Sequence, residues 1–155
     1  MKYSIKLLFA YAIMTMAGVT AAFSHGYTIG QLEIGHPYAF VMHADEETGI
    51  GFLNITNSGK NDDRLIGISS PSAQAIILQD VHHQEAPQGL IVPAGDVLTL
   101  QPGGGHIVFQ HVHAPFKLGD HIPGTLHFEQ AGDIEVEFKI SLPGLGSATQ
   151  QDHSH

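Results

Sequence analysis

The sequence contains no cysteine and no tryptophan, and only 6 of its 155 residues are Lys or Arg. Without cysteine, disulfide scaffolds, thiolate zinc sites and cysteine nucleophiles are excluded. Against those 6 basic residues stand 15 acidic ones, for a formal charge of −9. The chain therefore lacks the basic face that a phosphate backbone requires, and nucleic acid is not an expected partner. Phosphate-cradling glycine motifs are missing. So is the G-x-S-x-G elbow: Ser69 and Ser70 simply precede Pro71. Asp62-Asp63 and Asp45-Glu46-Glu47 lack the alternating spacing of a calcium loop and read as solvated loop acids. No run of ten residues sustains a helical period. The chain reads as a binding protein rather than an enzyme. What it has in excess is imidazole, with 12 histidines.

The first residues read as an export signal. Lys2 and Lys6 form a charged start, and Leu7 to Val19 an apolar stretch shorter than the ~20 residues of a spanning helix. Small residues follow. Cleavage after Ser24 places Ala22 and Ser24 at the two small-residue positions, and cleavage after Ala22 is the alternative. Removing 1–24 takes away both lysines and leaves Met42 as the one methionine, with all 12 histidines retained. No stable membrane insertion is expected after that cleavage, and a periplasmic or otherwise exported location is.

Residues 25–143 read as a single β-domain. In Asp133–Ile140, Ile134, Val136, Phe138 and Ile140 alternate strictly with Asp133, Glu135, Glu137 and Lys139, the pattern of a strand with one buried face. Further strands are expected at Gly51–Thr56, Leu65–Ser69, Gln74–Val81, Val97–Leu100, His106–Val112 and Thr125–Glu129, with one or two more in 25–40. Clusters such as Asn57-Ser58-Gly59 and Pro102-Gly103-Gly104-Gly105 punctuate them. Many short strands with turns between them predict an antiparallel sandwich or barrel. Residues 144–155 lack apolar periodicity and read as a flexible, histidine-containing tail.

Spacing selects the histidines that could hold a metal through a neutral ring nitrogen. On a strand over 106–112, Ile107 and Phe109 point inward while His106, Val108 and Gln110 share the other face. His111 and His113 form an i, i+2 pair near the strand's end. His82 and His83 follow another strand into a loop. His25 becomes an N-terminal chelator if cleavage falls after Ser24. His153 and His155 are a mobile pair on the tail. His36 precedes Pro37, which restricts it to extended conformations, and reads as structural. The candidate metal site is His106 with His82 or His83 and His111 or His113; His25, His153 and His155 are additional candidates.

Eight segments, in order, resemble the periplasmic PCu(A)C copper chaperones. They are 27–39, 51–57, 63–65, 70–73, 91–95, 100–107, 118–120 and 125–132, and the resemblance covers about residues 25–141. It implies a cupredoxin-like antiparallel β-sandwich. It also implies a carrier of Cu(I) that supplies an acceptor such as a cytochrome oxidase subunit or assembly factor. The family's copper motif is His-x-Met, a further Met, and a distal His-x-Met. His106 matches the distal His, but Val108 stands at its Met. Gln79 and Val81 stand at the first His and Met, and the shortened intervening loop has no Met. Thioethers select Cu(I), whereas imidazoles suit Cu(I), Cu(II) and Zn(II). Nearby histidines would thus turn a methionine site into an imidazole site for copper, with zinc as the second metal. A copper oxidase using His25, and a metal-free module on the same fold, are the remaining readings.

Export is expected to remove residues 1–24 or 1–22. The mass of the exported product checks this, and a product that retains Met1 contradicts it.

Overall fold

A computed structural model describes residues 26–144. The expected leader 1–24, His25, and the tail residues from 145 onward, with His153 and His155, lie outside the described residues. The described chain is all-β. Its strands are β1 (Gly26–Ile29), β2 (Leu32–Phe40), β3 (Thr48–Asn57), β4 (Asp63–Ser69), β5 (Ala73–Gln79), β6 (Leu90–Val92), β7 (Val97–Leu100), β8 (His106–Val112), β9 (His121–Phe128) and β10 (Gly132–Ser141). They pair in the order β5-β8-β3-β2-β10-β9-β4-β6, with β1 added to β2 and β7 to β3. The sheet folds over on itself into a nearly closed sandwich, so that β4 packs near β5. Among the described residues no helix is long and apolar enough to cross a membrane.

The expected sandwich is observed, with one pairing of the opposite sense. β10 runs parallel to β2, from Lys139↔Tyr38 to Ser141↔Phe40. These two strands come from opposite ends of the domain, so no hairpin forces them antiparallel. β9 starts at His121 rather than Thr125, in spite of Pro123. There β9 has β10 as its ladder partner (Pro123↔Glu137) and lies beyond its pairing with β4, so a missing amide is tolerated. The short strand β6 was not among those expected; it pairs with the start of β4. His36, expected to be extended, has φ 49° instead, because a bulge interrupts β2 between Gly35 and Tyr38. Asp63 is also not a solvated loop acid. It is buried, and its carboxylate accepts the amides of Arg64 at 2.7 Å, Gln130 at 2.9 Å and Ala131 at 2.9 Å.

The alternation in β10 is realised: Val136, Phe138 and Ile140 are buried while Glu135, Glu137 and Lys139 are exposed. Phe138 meets Phe109 of β8 edge to face at 5.4 Å, and Phe109 meets Phe116 in the same way at 5.3 Å. All three rings are fully buried. Two of them lie against glycines of β3. A Cβ on Gly51 would stand 2.7 Å from the Phe109 ring, and one on Gly49 2.5 Å from the Phe116 ring. The glycines let the rings sit directly on the β3 backbone.

Gly51→Ala is therefore expected to destabilise the domain by about 1–3 kcal/mol, the usual cost of overpacking. Gly35→Ala, where a Cβ would meet nothing within 4 Å, should stay within about 0.5 kcal/mol of wild type. Denaturant unfolding of the two variants checks the contrast.

Candidate metal centre

β5 ends at Gln79 and β8 begins at His106, and these two residues face each other directly across the antiparallel pair. Parity on β8 is as the sequence predicts. Ile107 and Phe109 are wholly buried, and His106 is on the opposite face. After Gln79 the chain makes a tight reversal. The Asp80 amide donates to the Gln84 carbonyl at 2.9 Å, the His83 amide to the Asp80 carbonyl at 3.0 Å, and the Ala86 amide to the Leu78 carbonyl at 2.8 Å. A bridge between Gln79 and Glu85 closes it.

The Asp80 carboxylate organises the inside of this loop. Its Oδ1 accepts the His82 amide at 2.8 Å and the Gln84 amide at 3.1 Å. The Gln84 bond, aided by that from His82 and by the two nearby imidazoles, holds the Asp80 carboxyl below its ordinary range. Within the loop His83 takes a left-handed φ of 59°. Histidine is among the few non-glycine residues enriched in that region. The result brings the His83 ring to 5.3 Å from the His106 ring, centroid to centroid, at 50° between planes.

The tautomer of His106 suits a ligand. Its Nδ1 lies 3.1 Å from the Gly104 carbonyl, which can only accept, so Nδ1–H donates and Nε2 keeps its lone pair. With metal–nitrogen bonds of about 2.0–2.1 Å, two imidazoles on one ion can have centroids up to roughly 6.4 Å apart. The observed spacing falls inside that limit.

The other histidines are held elsewhere. His82 is exposed on the same loop. His111 and His113 lie toward the far end of β8, at about 3.3 Å per residue some 16 Å or more along the strand from His106. There His111 has φ 49° and its Nδ1 sits 3.6 Å from Glu47 Oε2, both side chains mostly exposed, and the His113 amide donates to the Ser72 carbonyl. The expected combination of His106 with His111 or His113 on one ion is thus not formed, because the strand is extended between them. Among the described residues no three His, Asp or Glu side chains converge as a metal-holding group. Val108 is buried and Val81 exposed, and neither can ligate. Asp80, which sets the loop, was not singled out in the sequence; D-x-x-x-Q inside a strand-to-strand reversal is too common a pattern to find it.

The profile of the LpqE-like lipoprotein family matches residues 32–140. The chain belongs to the LpqE-like family. A curated relative from Leifsonia xyli subsp. xyli, "Putative lipoprotein Lxx21020", is 32% identical over 109 residues, covering 66% of each chain. Among solved structures, the copper-bound PCuAC domain of PmoF2 is 24% identical with a TM-score of 0.71, covering 77% of this chain and 99% of that domain. The Cu(I) form of DR1885 from Deinococcus radiodurans is 19% identical with a TM-score of 0.62, covering 79% and 84%. The fold of this LpqE-like protein is therefore that of the PCuAC domains, as the resemblance in its sequence implies.

Asp80→Ala should release the 80–84 loop and separate the two rings, while Asp80→Asn, which keeps an accepting oxygen, should hold them. Through-space NMR contacts between the His83 and His106 ring protons are expected to vanish in the first variant and persist in the second.

Proposed function

We propose that the protein is an exported copper-binding protein that carries or buffers copper through His83 and His106. The observation that supports this most directly is the placement of the two rings. By the sequence resemblance His106 stands for the distal copper histidine of the PCu(A)C chaperones and Gln79 for their first one. Gln79 is paired with His106, and the loop that follows it brings the His83 ring beside the His106 ring. The solved domains that share the fold include copper-bound and Cu(I)-bound forms. Export is supported by the signal-like leader and by the lipoprotein descriptions of the relatives.

Two imidazoles leave an ion with open positions. Cu(I) accepts low coordination numbers, whereas structural zinc sites take four protein ligands. That preference sets copper ahead of zinc for this pair. Open positions also suit a carrier, since an acceptor can add its own ligands before the carrier lets go. A copper-accepting protein, such as an oxidase subunit or assembly factor, is the partner this reading calls for. The acidic surface would draw in the cation and a basic docking face.

His83→Ala and His106→Ala should each weaken Cu(I) binding about tenfold or more, a loss of ~1.4 kcal/mol or greater. The His153→Ala/His155→Ala double variant should stay close to wild type, because the proposed site needs neither residue. Competition titration against a chromophoric Cu(I) chelator measures all three. Loss of affinity in the tail variant alone would assign the metal to the tail, and retention of zinc in preference to copper would assign the site to zinc.

A further inference from the structure

The outer face of β4, β9 and β10 carries a hydrogen-bonded chain of side chains that copper binding does not use. The His127 imidazole lies between an acid and an alcohol: Nδ1 is 2.8 Å from Asp133 Oδ1, and Nε2 is 2.9 Å from Ser69 Oγ. An ionised carboxylate only accepts, so Nδ1–H donates to Asp133. In the neutral ring Nε2 is then the acceptor, and the Ser69 hydroxyl donates to it. This is the polarity that a serine nucleophile requires of its base.

The backbone builds this arrangement through a bulge. Unbroken alternation from buried Leu65 would turn Ser69 inward. Instead Leu65 pairs with Phe128 and Gly67 with His127, which leaves Ile66 as an extra residue. Ile68 is thereby buried and Ser69 exposed, on the same face as His127. Bulges of this kind re-aim side chains. Asp133 stands directly opposite His127 across the β9–β10 pair. Buried Asp63 at the start of β4 fastens the β9–β10 turn through the Gln130 and Ala131 amides, so the three strands hold a common frame.

We propose that Ser69, His127 and Asp133 form a nucleophilic site that takes the acyl group of an activated carboxylic ester. Ser69 Oγ bonds to the ester carbonyl carbon as its proton passes to His127 Nε2. The bond to the alcohol oxygen then breaks, and His127 returns the proton to the departing alkoxide. The products are an acyl ester on Ser69 and the free alcohol. Water, deprotonated by His127, later releases the carboxylic acid and restores Ser69. Ser69 and His127 are the catalytic residues; Asp133 is a positioning residue that fixes the ring's tautomer. On an exposed face, where water competes for the developing oxyanion, the site is limited to esters with a good leaving group.

The test uses the full chain, p-nitrophenyl butyrate and, separately, a fluorophosphonate, with intact mass and peptide mapping as the readout. Exposed imidazoles also release nitrophenol, so the adduct on Ser69 is scored rather than the colour. A lasting adduct, one per chain and on Ser69, is expected with the fluorophosphonate, and a transient acyl adduct on the same residue with the ester. His127→Gln and His127→Ala should each slow it about 100-fold, the lower end of what a general base contributes. Asp133→Asn should slow it, Asp133→Glu should restore part of the rate, and Ser70→Ala should leave the mapped position unchanged. Unfolding midpoints confirm that each variant is folded. Wild-type protein that acquires no adduct on Ser69, or labels Ser58 and Ser70 equally fast, overturns the proposal. So does Ser69 labelling that is indifferent to both His127 variants.

Discussion

The packing of Phe109 is the constraint on which the rest depends. Its ring meets Phe116 on one side and Phe138 on the other, and rests on the bare backbone of Gly51. This joins β8 to β10 across the sandwich and to β3 beneath it. It also fixes which way every side chain of β8 points. A slip of one residue would move Phe109 to solvent and His106 into the core. Truncating a fully buried phenylalanine costs about 3–5 kcal/mol, which is a measure of how firmly the register is held. The outward aim of His106, opposite Gln79, is thus a consequence of hydrophobic packing on the other face of the same strand.

Departures from regular sheet carry the chemistry on that frame. The non-glycine residues with left-handed φ among those described are His36, His83 and His111. Such a conformation costs of order 1–3 kcal/mol and persists where its surroundings over-determine it. For His83 the surroundings are the Asp80 bonds to the His82 and Gln84 amides and the backbone bonds that close the loop. At Ile66 the irregularity is a bulge, and it decides that Ser69 stands beside His127. In both places a small local distortion brings together groups that no regular strand would have placed in contact.

Regular elements were legible in the sequence and these distortions were not. The bounds of β7 and β8 follow from alternation and the flanking turn residues, and β10 is displaced by a single residue at each end. Burial acts on every second residue there, so the pattern is written into composition. Pro123 concealed the first half of β9, because a proline forbids only a central position and the sequence does not say which strands are central. Asp63 looked like its neighbour Asp62, yet it is buried on three amides. Only the fold reveals that loop amides point at it. The outward aim of His106 was legible from strand parity. That His83 rather than His82 lies against it was not, since it depends on one φ angle. The company of His111 and His113 was inferred from density along the chain, and an extended strand separates what sequence density groups.

Having Gln79 at the motif's first imidazole position and Val81 and Val108 at its thioether positions, while His83 lies beside His106, changes how a metal would be held. A buried, fully ligated site binds tightly and releases slowly. In the proposed site one residue, His106, is half-buried and fixed by its bond to the Gly104 carbonyl, while the other, His83, is exposed on a loop. With one fixed and one exposed, release would have a natural order. The loop imidazole can be displaced first by an incoming donor, leaving the ion on the rigid strand until a second donor arrives. Exchange by that route never leaves the ion bare, which keeps the barrier low even when the affinity is high. Rigidity at one ligand and exposure at the other are what a carrier needs from a site, and both are set by the strand and loop that bear them.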